Sequence, residues 1–289
     1  MRTQSEYWKK YLAGSKPCLL PPLTPKDQQD TSKKQTTAIA LDRDREILRF
    51  CHQHGVSPLT VFQLAWAFVL SRYAATDDAV FGYRENAALD GSLVLEEESI
   101  FRLRFPIETS VLGTLRLNAS RSPRHRAFQT GAIPATMRLA GYKGTRLFNT
   151  FLYVEPAGDG IASSVDGAGP FAAPSYPSQT DIDGQYDVVV KISVAEDVTA
   201  CSVVYSSALL GDVQAWHLAL TFGRVLEAIL AHGDGCTDEM DLLAHASSAF
   251  AMDASLGGCV CEHKSIPERC VENTWDGEAR YQKLQGMSV

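Results

Sequence analysis

Residues 57–83 read SPLTVFQLAWAFVLSRYAATDDAVFGY, and this stretch decides the class of fold. Ser57 and Pro58 are typical of a helix start, because serine caps free amide groups and proline fits the first turn. Residues 59–70 are apolar nearly all round, which is typical of a helix buried in a large core. After a polar turn, residues 79–83 predict a strand. The stretch therefore predicts a buried helix that leads directly into a strand.

The flanking sequence alternates between helical and extended patterns. Helices are predicted at 6–13, 42–54, 126–139 and 212–231, and strands at 36–41, 101–107, 147–154, 186–194 and 200–205. Trp66 and Trp216 fall within apolar helix faces and are expected to anchor the core. Intermixed helices and strands predict an α/β fold with a mixed sheet.

Composition excludes several classes of protein. The chain has 289 residues, 45% hydrophobic and 21% charged, which is ordinary for a globular domain. A net charge of -7 argues against nucleic acid as a partner, because phosphate binding needs a positive field. No apolar run approaches the roughly 20 residues that span a bilayer, and residues 1–10 lack a signal peptide. We therefore expect a cytoplasmic protein without a membrane partner, and seven scattered cysteines do not suggest a disulfide framework.

Several stretches, in order, carry a resemblance to a known family. They are YWKKYLAG at 7–14, the long stretch at 57–83, LFNT at 147–150, YDVVV at 186–190, the helix at 212–230 and DLL at 241–243. Together they resemble the C-terminal lobe of a fungal-type condensation domain of nonribosomal peptide synthetases. WDGEARYQKL at 275–284 resembles the start of an adenylation domain.

The resemblance implies an architecture and domain boundaries. The fold would be a lobe of the chloramphenicol-acetyltransferase type, a mixed β-sheet with flanking helices. An opening helix and extended linker would occupy residues 1–35, and the C-lobe residues 36–243. Residues 244–289 would be a poorly ordered linker toward an adenylation domain.

The resemblance also implies a reaction and its partners. In the family, two lobes enclose a tunnel in which carrier-bound acyl and aminoacyl thioesters are joined by an amide bond. No cofactor would bind directly, but the phosphopantetheine arms of peptidyl or aminoacyl carrier proteins would enter the tunnel. The other partners would be the missing N-lobe or an adenylation domain. Asn149 and Thr150 would border the acceptor side of the tunnel as substrate-tunnel residues. The favoured alternative is that they only bond neighbouring strands or loops.

The sequence departs from the family at its catalytic motif. The HHxxxDG motif, whose second histidine positions or deprotonates the attacking amine, has no counterpart, because no two of the seven histidines are adjacent. His52 and His54 lie beside Gly55 at a predicted helix end, where a capping role is expected. The position of the family's arginine in its "GR" pair holds Ala88, and residues 97–101 replace its crossover segment. No catalytic residue is assigned, and we expect an incomplete domain, from a truncated gene model or a pseudogene remnant.

Other chemistries find little support in the sequence. Cys259, Cys261, His263 and Cys270 could be read as metal ligands, but their spacing does not match common zinc patterns, so no metal is predicted. Three hypotheses stay open. The chain is a partial condensation domain that is inactive alone, an interaction module that self-associates or docks on a partner supplying the missing lobe, or a free-standing acyltransferase or cyclase of the same superfold.

Overall fold

A computed structural model describes most of the first 233 residues. The described residues are 3–23, 33–39, 41, 45–85, 98–105, 110–128, 132–142, 144, 146–156, 184–195 and 198–233. Contacts divide the chain into two units, Met1–Phe250 and Ala251–Val289, and all the described residues lie in the first. Within the described part, no helix combines the length and hydropathy that crossing a membrane requires.

Six helices and six strands follow one another along the described chain. The helices are α1 (Gln4–Tyr11), α2 (Glu46–His54), α3 (Pro58–Tyr73), α4 (Val111–Arg126), α5 (Ile133–Leu139) and α6 (Asp212–His232). The strands are β1 (Lys34–Ile39), β2 (Asp78–Glu85), β3 (Glu98–Arg104), β4 (Thr150–Pro156), β5 (Val188–Val194) and β6 (Thr199–Ser206).

All six strands form one sheet in the order β1-β6-β5-β4-β2-β3. The β2–β4 and β4–β5 pairs are parallel, and the β1–β6, β5–β6 and β2–β3 pairs are antiparallel. The predicted mixed sheet with flanking helices is therefore confirmed.

Helix α3 is the centre of the core. Its start follows the sequence pattern, because the Ser57 hydroxyl accepts a hydrogen bond from the Thr60 amide at 3.3 Å and Pro58 occupies the first turn. Residues 59–70 are all buried. Trp66 is fully buried and lies edge-on to Phe222 of α6, with ring centroids 5.9 Å apart. Helices α3 and α6 thus pack together on one face of the sheet.

Helix α1 belongs to the same core. Thr3 and Glu6 form a capping box at its start. Trp8 is fully buried, and its indole Nε1 donates a hydrogen bond to the Phe128 carbonyl at 2.8 Å. At the other end, the guanidinium of Arg102 on β3 donates to the carbonyl of Tyr11 at 2.7 Å. The division at residues 35 and 243 stays a prediction.

Two sequence expectations were wrong in detail. The single helix expected at 126–139 is two helices, α4 and α5. Pro134 lies in the first turn of α5, where its missing amide hydrogen is tolerated, whereas a continuous helix would need that hydrogen. Trp216 is not a core anchor, since it is 51% exposed. The core face of α6 is formed by Ala215, Leu218 and Phe222, and Trp216 lies outside that stripe.

Candidate functional site

Asn149 lies immediately before β4 and holds a loop in place with its side chain. Its Oδ1 accepts a hydrogen bond from the Leu20 amide at 2.8 Å, and its Nδ2 donates to the Leu20 carbonyl at 3.0 Å. The same Nδ2 donates to the Asp187 carboxylate at 3.1 Å. A buried amide with this many partners acts as a substitute for backbone pairing.

Thr150 opens β4 and points toward α3. It is fully buried, and its Oγ1 accepts a hydrogen bond from the indole Nε1 of Trp66 at 3.4 Å. Asn149 and Thr150 are thus adjacent in sequence, and both have polar partners within the fold. A substrate-tunnel role for these two residues stays a prediction.

The sheet face opposite α3 and α6 carries a row of polar side chains across four strands. Directly paired residues share a face of a sheet, and the register pairs Arg84 with Tyr153, Tyr153 with Lys191, and Lys191 with Ser202. Because Thr150 points toward α3, the alternation along β4 directs Tyr153 to the other face. We call these residues the polar row, and with Ser193 on β5 they form a contiguous patch.

Most of this polar patch is buried. Lys191 and Tyr153 are buried, and Arg84 pairs with Glu98 of β3 at 3.2 Å. The hydroxyls of Ser193 and Ser202 are also buried, and neither has a hydrogen-bond partner within the described part of the chain. Buried polar atoms are nearly always paired in native proteins, so these two unpaired hydroxyls, which lie diagonally across the β5–β6 ladder, favour the binding of a further polar group there.

His125 is the most deeply buried of the described histidines, but both of its ring nitrogens already have hydrogen-bond partners. Its Nε2 lies 2.8 Å from the Ile100 carbonyl and must donate to it, which leaves Nδ1 to accept from the Tyr7 hydroxyl at 2.8 Å. Burial lowers the pKa of His125 to about 4, so the ring is neutral near pH 7. The rings of Trp8 and Tyr11 lie edge-on to it, with centroids 4.8 Å away. His125 therefore ties α1 to α4 and β3 and has no nitrogen left for a substrate.

His52 and His54 lie in the last turn of α2, as the sequence predicted. Gly55 ends that helix in the left-handed conformation, with φ of 65°. The His54 ring packs on Phe50 with centroids 4.4 Å apart. A position at a helix C-terminus favours a capping role for both rings.

Metal ligands are not brought together in the described residues, where no group of three or more His, Cys, Asp or Glu side chains could hold an ion. The candidate ligands at 259–270, and Ala88 at the family's arginine position, lie outside the described residues.

The sequence interpretation missed the polar row. One signal was available, because Lys191 interrupts the apolar strand VVVKISV, and a lysine in the middle of such a strand is rarely buried without a partner. The unpaired hydroxyls of Ser193 and Ser202 could not be found from sequence, since only the pairing register, which sets Ser193 opposite Ala200 and Ser202 opposite Lys191, brings them to one face of neighbouring strands.

Comparisons with known proteins agree with this architecture. The family model for the condensation domain matches residues 1–86. Malformin synthetase mlfA of Aspergillus sclerotiicarbonarius is 27% identical over 309 aligned residues, covering all of this chain and 6% of that protein. Nonribosomal peptide synthetase fmqA of Aspergillus fumigatus is 28% identical, covering 98% of this chain and 8% of that protein.

The likeness extends to solved structures. The condensation domain from the Monacolin K polyketide synthase MokA superimposes with a TM-score of 0.56 at 15% identity, covering 82% of this chain and 58% of that one. At this identity the match concerns the fold. The chain spans less than a tenth of the two fungal synthetases and about half of the solved domain. The matched family model, the fungal relatives and the solved structure thus make this chain similar to the condensation domains of nonribosomal peptide synthetases.

Proposed function

We propose that the described chain is the C-terminal lobe of a condensation domain, the half that supplies one wall of an amide-forming channel. The observation that carries this proposal is the partial coverage of the solved condensation domain. The chain aligns over 82% of its own length with only 58% of that domain, and its described strands make one six-stranded sheet. A single lobe with its connecting segments is expected to align with about this share of a two-lobed domain.

The reaction of the complete domain would be amide formation between carrier-bound thioesters. The amine of the acceptor attacks the thioester carbonyl of the donor, a C–N bond forms, the C–S bond breaks, and the nitrogen proton passes to the leaving thiolate. Holding both substrates in one channel replaces a bimolecular encounter, and a placed histidine assists the proton transfer. Both substrates would arrive on phosphopantetheine arms of carrier proteins, which are the partners that the family implies.

The chain alone would not catalyse this step. Its sequence contains no adjacent histidine pair, and both nitrogens of His125 are occupied by Tyr7 and Ile100. What this lobe can contribute is the patch around the polar row, where the buried hydroxyls of Ser193 and Ser202 would bond the amide-rich phosphopantetheine arm. A second lobe that carries HHxxxDG would complete the channel.

The test is a condensation assay with the purified chain and two separately loaded carrier proteins, one with a radiolabelled aminoacyl donor. We expect no transfer of label to the acceptor carrier. Adding a separately expressed N-lobe from a fungal condensation domain should restore transfer. The matched control is the same N-lobe with alanine in place of the second motif histidine, which should give none.

Two outcomes would contradict the proposal. Label transfer by the chain without an N-lobe would mean that the chain has its own general base for the attacking amine. Failure of several N-lobes to bind the chain, measured by analytical ultracentrifugation, would mean that it is not half of a channel.

A further inference from the structure

A pocket lies between α5 and the starts of β4 and β5, away from the His125 cluster. Its volume is about 510 Å³, within the range of roughly 300–1,000 Å³ that is usual for small-molecule sites. Ile133 and Met137 of α5 form one wall, and Phe148 and Tyr186 form the wall on the sheet side. The pocket is thus a site within one lobe, with helix and sheet supplying opposite walls.

The apolar part of the pocket is held rigidly. Tyr186 stacks on Phe148 with ring planes 9° apart and lies 4.7 Å from the Phe151 ring. Gly82 allows α5 to approach the sheet closely, because a Cβ there would come within 2.7 Å of the Ile133 Cδ1 atom. Flat aromatic walls at fixed positions favour a ligand with an aryl or extended alkyl body.

The charged side chains that line the rim of the pocket are positive. Arg138 and Arg146 are the only charged residues among the described ones that line it, although the whole chain has a net charge of -7. The Arg146 guanidinium is positioned by the Asp187 carboxylate at 3.0 Å. In the described part of the structure, the side chain of Arg138 has neither an ion pair nor a hydrogen bond. Guanidinium groups match the planar geometry of carboxylates and the oxygens of phosphates.

We propose that this pocket binds an amphipathic organic anion, with an aryl or alkyl body against Phe148, Tyr186 and Met137 and a carboxylate or phosphate at Arg138 and Arg146. The proposal goes beyond the condensation reaction and does not depend on it, since the chain alone contains the whole site.

The test is isothermal titration of the full chain with 4-phenylbutyrate, its neutral isostere 4-phenylbutyramide and 4-phenylbutyl phosphate at low salt. Loss of a charge-assisted hydrogen bond weakens binding by about tenfold or more, so at least one anion should bind that much more tightly than the amide. The two anions distinguish a carboxylate site from a phosphate site. Salt should weaken binding of the anion and leave the amide unchanged.

Variants distinguish binding of the anion in the pocket from nonspecific attraction to surface arginines. Arg138→Gln, and the double variant Arg138→Gln/Arg146→Gln, should reduce the preference for the anion over the amide toward unity. Arg116→Gln, an exposed arginine of α4 outside the pocket, is the matched control and should keep the full preference. Met137→Trp should fill the pocket and abolish binding of all three compounds, while circular dichroism confirms that each variant is folded. Equal affinity for acid and amide, no binding of either anion, or an unchanged preference in Arg138→Gln would overturn the proposal.

Discussion

A single imidazole illustrates how one residue joins three elements. His125 lies on α4, bonds the outer edge of β3 through the Ile100 carbonyl, and receives the Tyr7 hydroxyl of α1. These bonds satisfy all the hydrogen-bonding capacity of a neutral ring. Burial disfavours the charged imidazolium and so lowers the pKa of His125 to about 4. Protonation would also turn the acceptor Nδ1 into a second donor facing the Tyr7 hydroxyl.

The first prediction concerns pH. An unfolded histidine titrates near 6.5 and His125 in the folded chain near 4, so the unfolded state binds the proton first as pH falls. The contribution to stability is complete above pH 6.5 and is lost between pH 6.5 and about 4. Between pH 7 and 5, the titration of His125 alone should lower the free energy of unfolding by about 2 kcal/mol.

Urea unfolding of the wild-type chain and of His125→Gln at pH 7 and 5 isolates the contribution of His125 to the pH dependence of the unfolding free energy, because glutamine does not titrate. His232→Gln, at the exposed end of α6, is the control and should keep the full pH dependence. An identical pH dependence in the wild-type chain and His125→Gln would show that His125 is not held neutral.

The second prediction concerns Asn149. Asn149→Asp replaces the Nδ2 donor with a charged oxygen that faces the Leu20 carbonyl and the Asp187 carboxylate. Unfolding free energy at pH 7 should fall by about 2–4 kcal/mol, because a buried donor is lost and like charges meet. Thr150→Val, which removes only the acceptor of the Trp66 indole, should cost about 1–2 kcal/mol. Chemical denaturation measures both, and a smaller loss for Asn149→Asp than for Thr150→Val would contradict the bonding described.

At the scale of elements, the contact of α5 with the sheet depends on one missing side chain. A Cβ at Gly82 would lie 2.7 Å from Ile133 Cδ1, 2.7 Å from Phe151 Cδ2 and 3.1 Å from Phe148 Cε2. Such distances do not occur without movement of the neighbours. Gly82 on β2 therefore sets how closely α5 packs.

The third prediction follows from that contact. Gly82→Ala should lower the unfolding free energy by about 1–3 kcal/mol through overpacking. Adding Ile133→Val, which removes the Cδ1 atom, should restore part of the loss. Gly184→Ala is the matched control, since nothing lies within 4 Å of a Cβ built there. Thermal and urea unfolding measure all three, and equal stability of Gly82→Ala and Gly184→Ala would contradict the packing.

Helix α1 is attached to the sheet by a buried ion pair. Arg102 of β3 meets the Asp78 carboxylate of β2 at 2.6 and 2.7 Å, and both side chains are almost wholly buried. The same guanidinium donates to the carbonyls of Tyr11 and Ala13 at the end of α1. One side chain thus neutralises a buried carboxylate and caps a helix end.

The fourth prediction tests that attachment. Arg102→Met leaves the Asp78 carboxylate buried and unpaired, so stability should fall by about 3–5 kcal/mol. Hydrogen exchange in α1 should accelerate more than in α6. The double variant Asp78→Asn/Arg102→Met should recover part of the loss, because no unpaired charge remains. Lys16→Gln, in the exposed Lys16–Asp77 pair, should change neither quantity. An equal acceleration of exchange in α1 and α6 of Arg102→Met would contradict the role of Arg102.

At the scale of the molecule, the apolar core of the described residues lies in the first unit. Its buried residues run from Trp8 to Ile229, and they join α1 and α6 to the same sheet. The fifth prediction is that a chain ending at residue 250 keeps the unfolding midpoint of the full chain within about 2 °C, because contacts divide the chain into two compact units at that point. Differential scanning calorimetry measures the midpoint, and a large decrease would show that residues 251–289 stabilise the core.

Much of the candidate site depended on pairings that no local pattern encodes. The polar row exists because the register sets Arg84, Tyr153, Lys191 and Ser202 in one line across four strands. Those residues are spread over more than a hundred positions of sequence, and a shift of one residue would turn a strand's side chains to the opposite face. The Gly82 contact and the engagement of His125 are equally non-local.

The sequence by itself determined the local and compositional features of this protein. The start of α3 at Ser57 and Pro58, its burial along 59–70, and the left-handed end of α2 at Gly55 follow from capping chemistry and apolar periodicity. The same local patterns carried the resemblance to the condensation family, since family segments are short stretches of neighbouring residues.

The tertiary structure alone decided which residues meet. It separated α4 from α5, left Trp216 half exposed, and brought Arg138 and Arg146 to the rim of one pocket. The physical reason is that periodicity fixes which side of an element is apolar, whereas the partner of that side is fixed by the packing of distant segments.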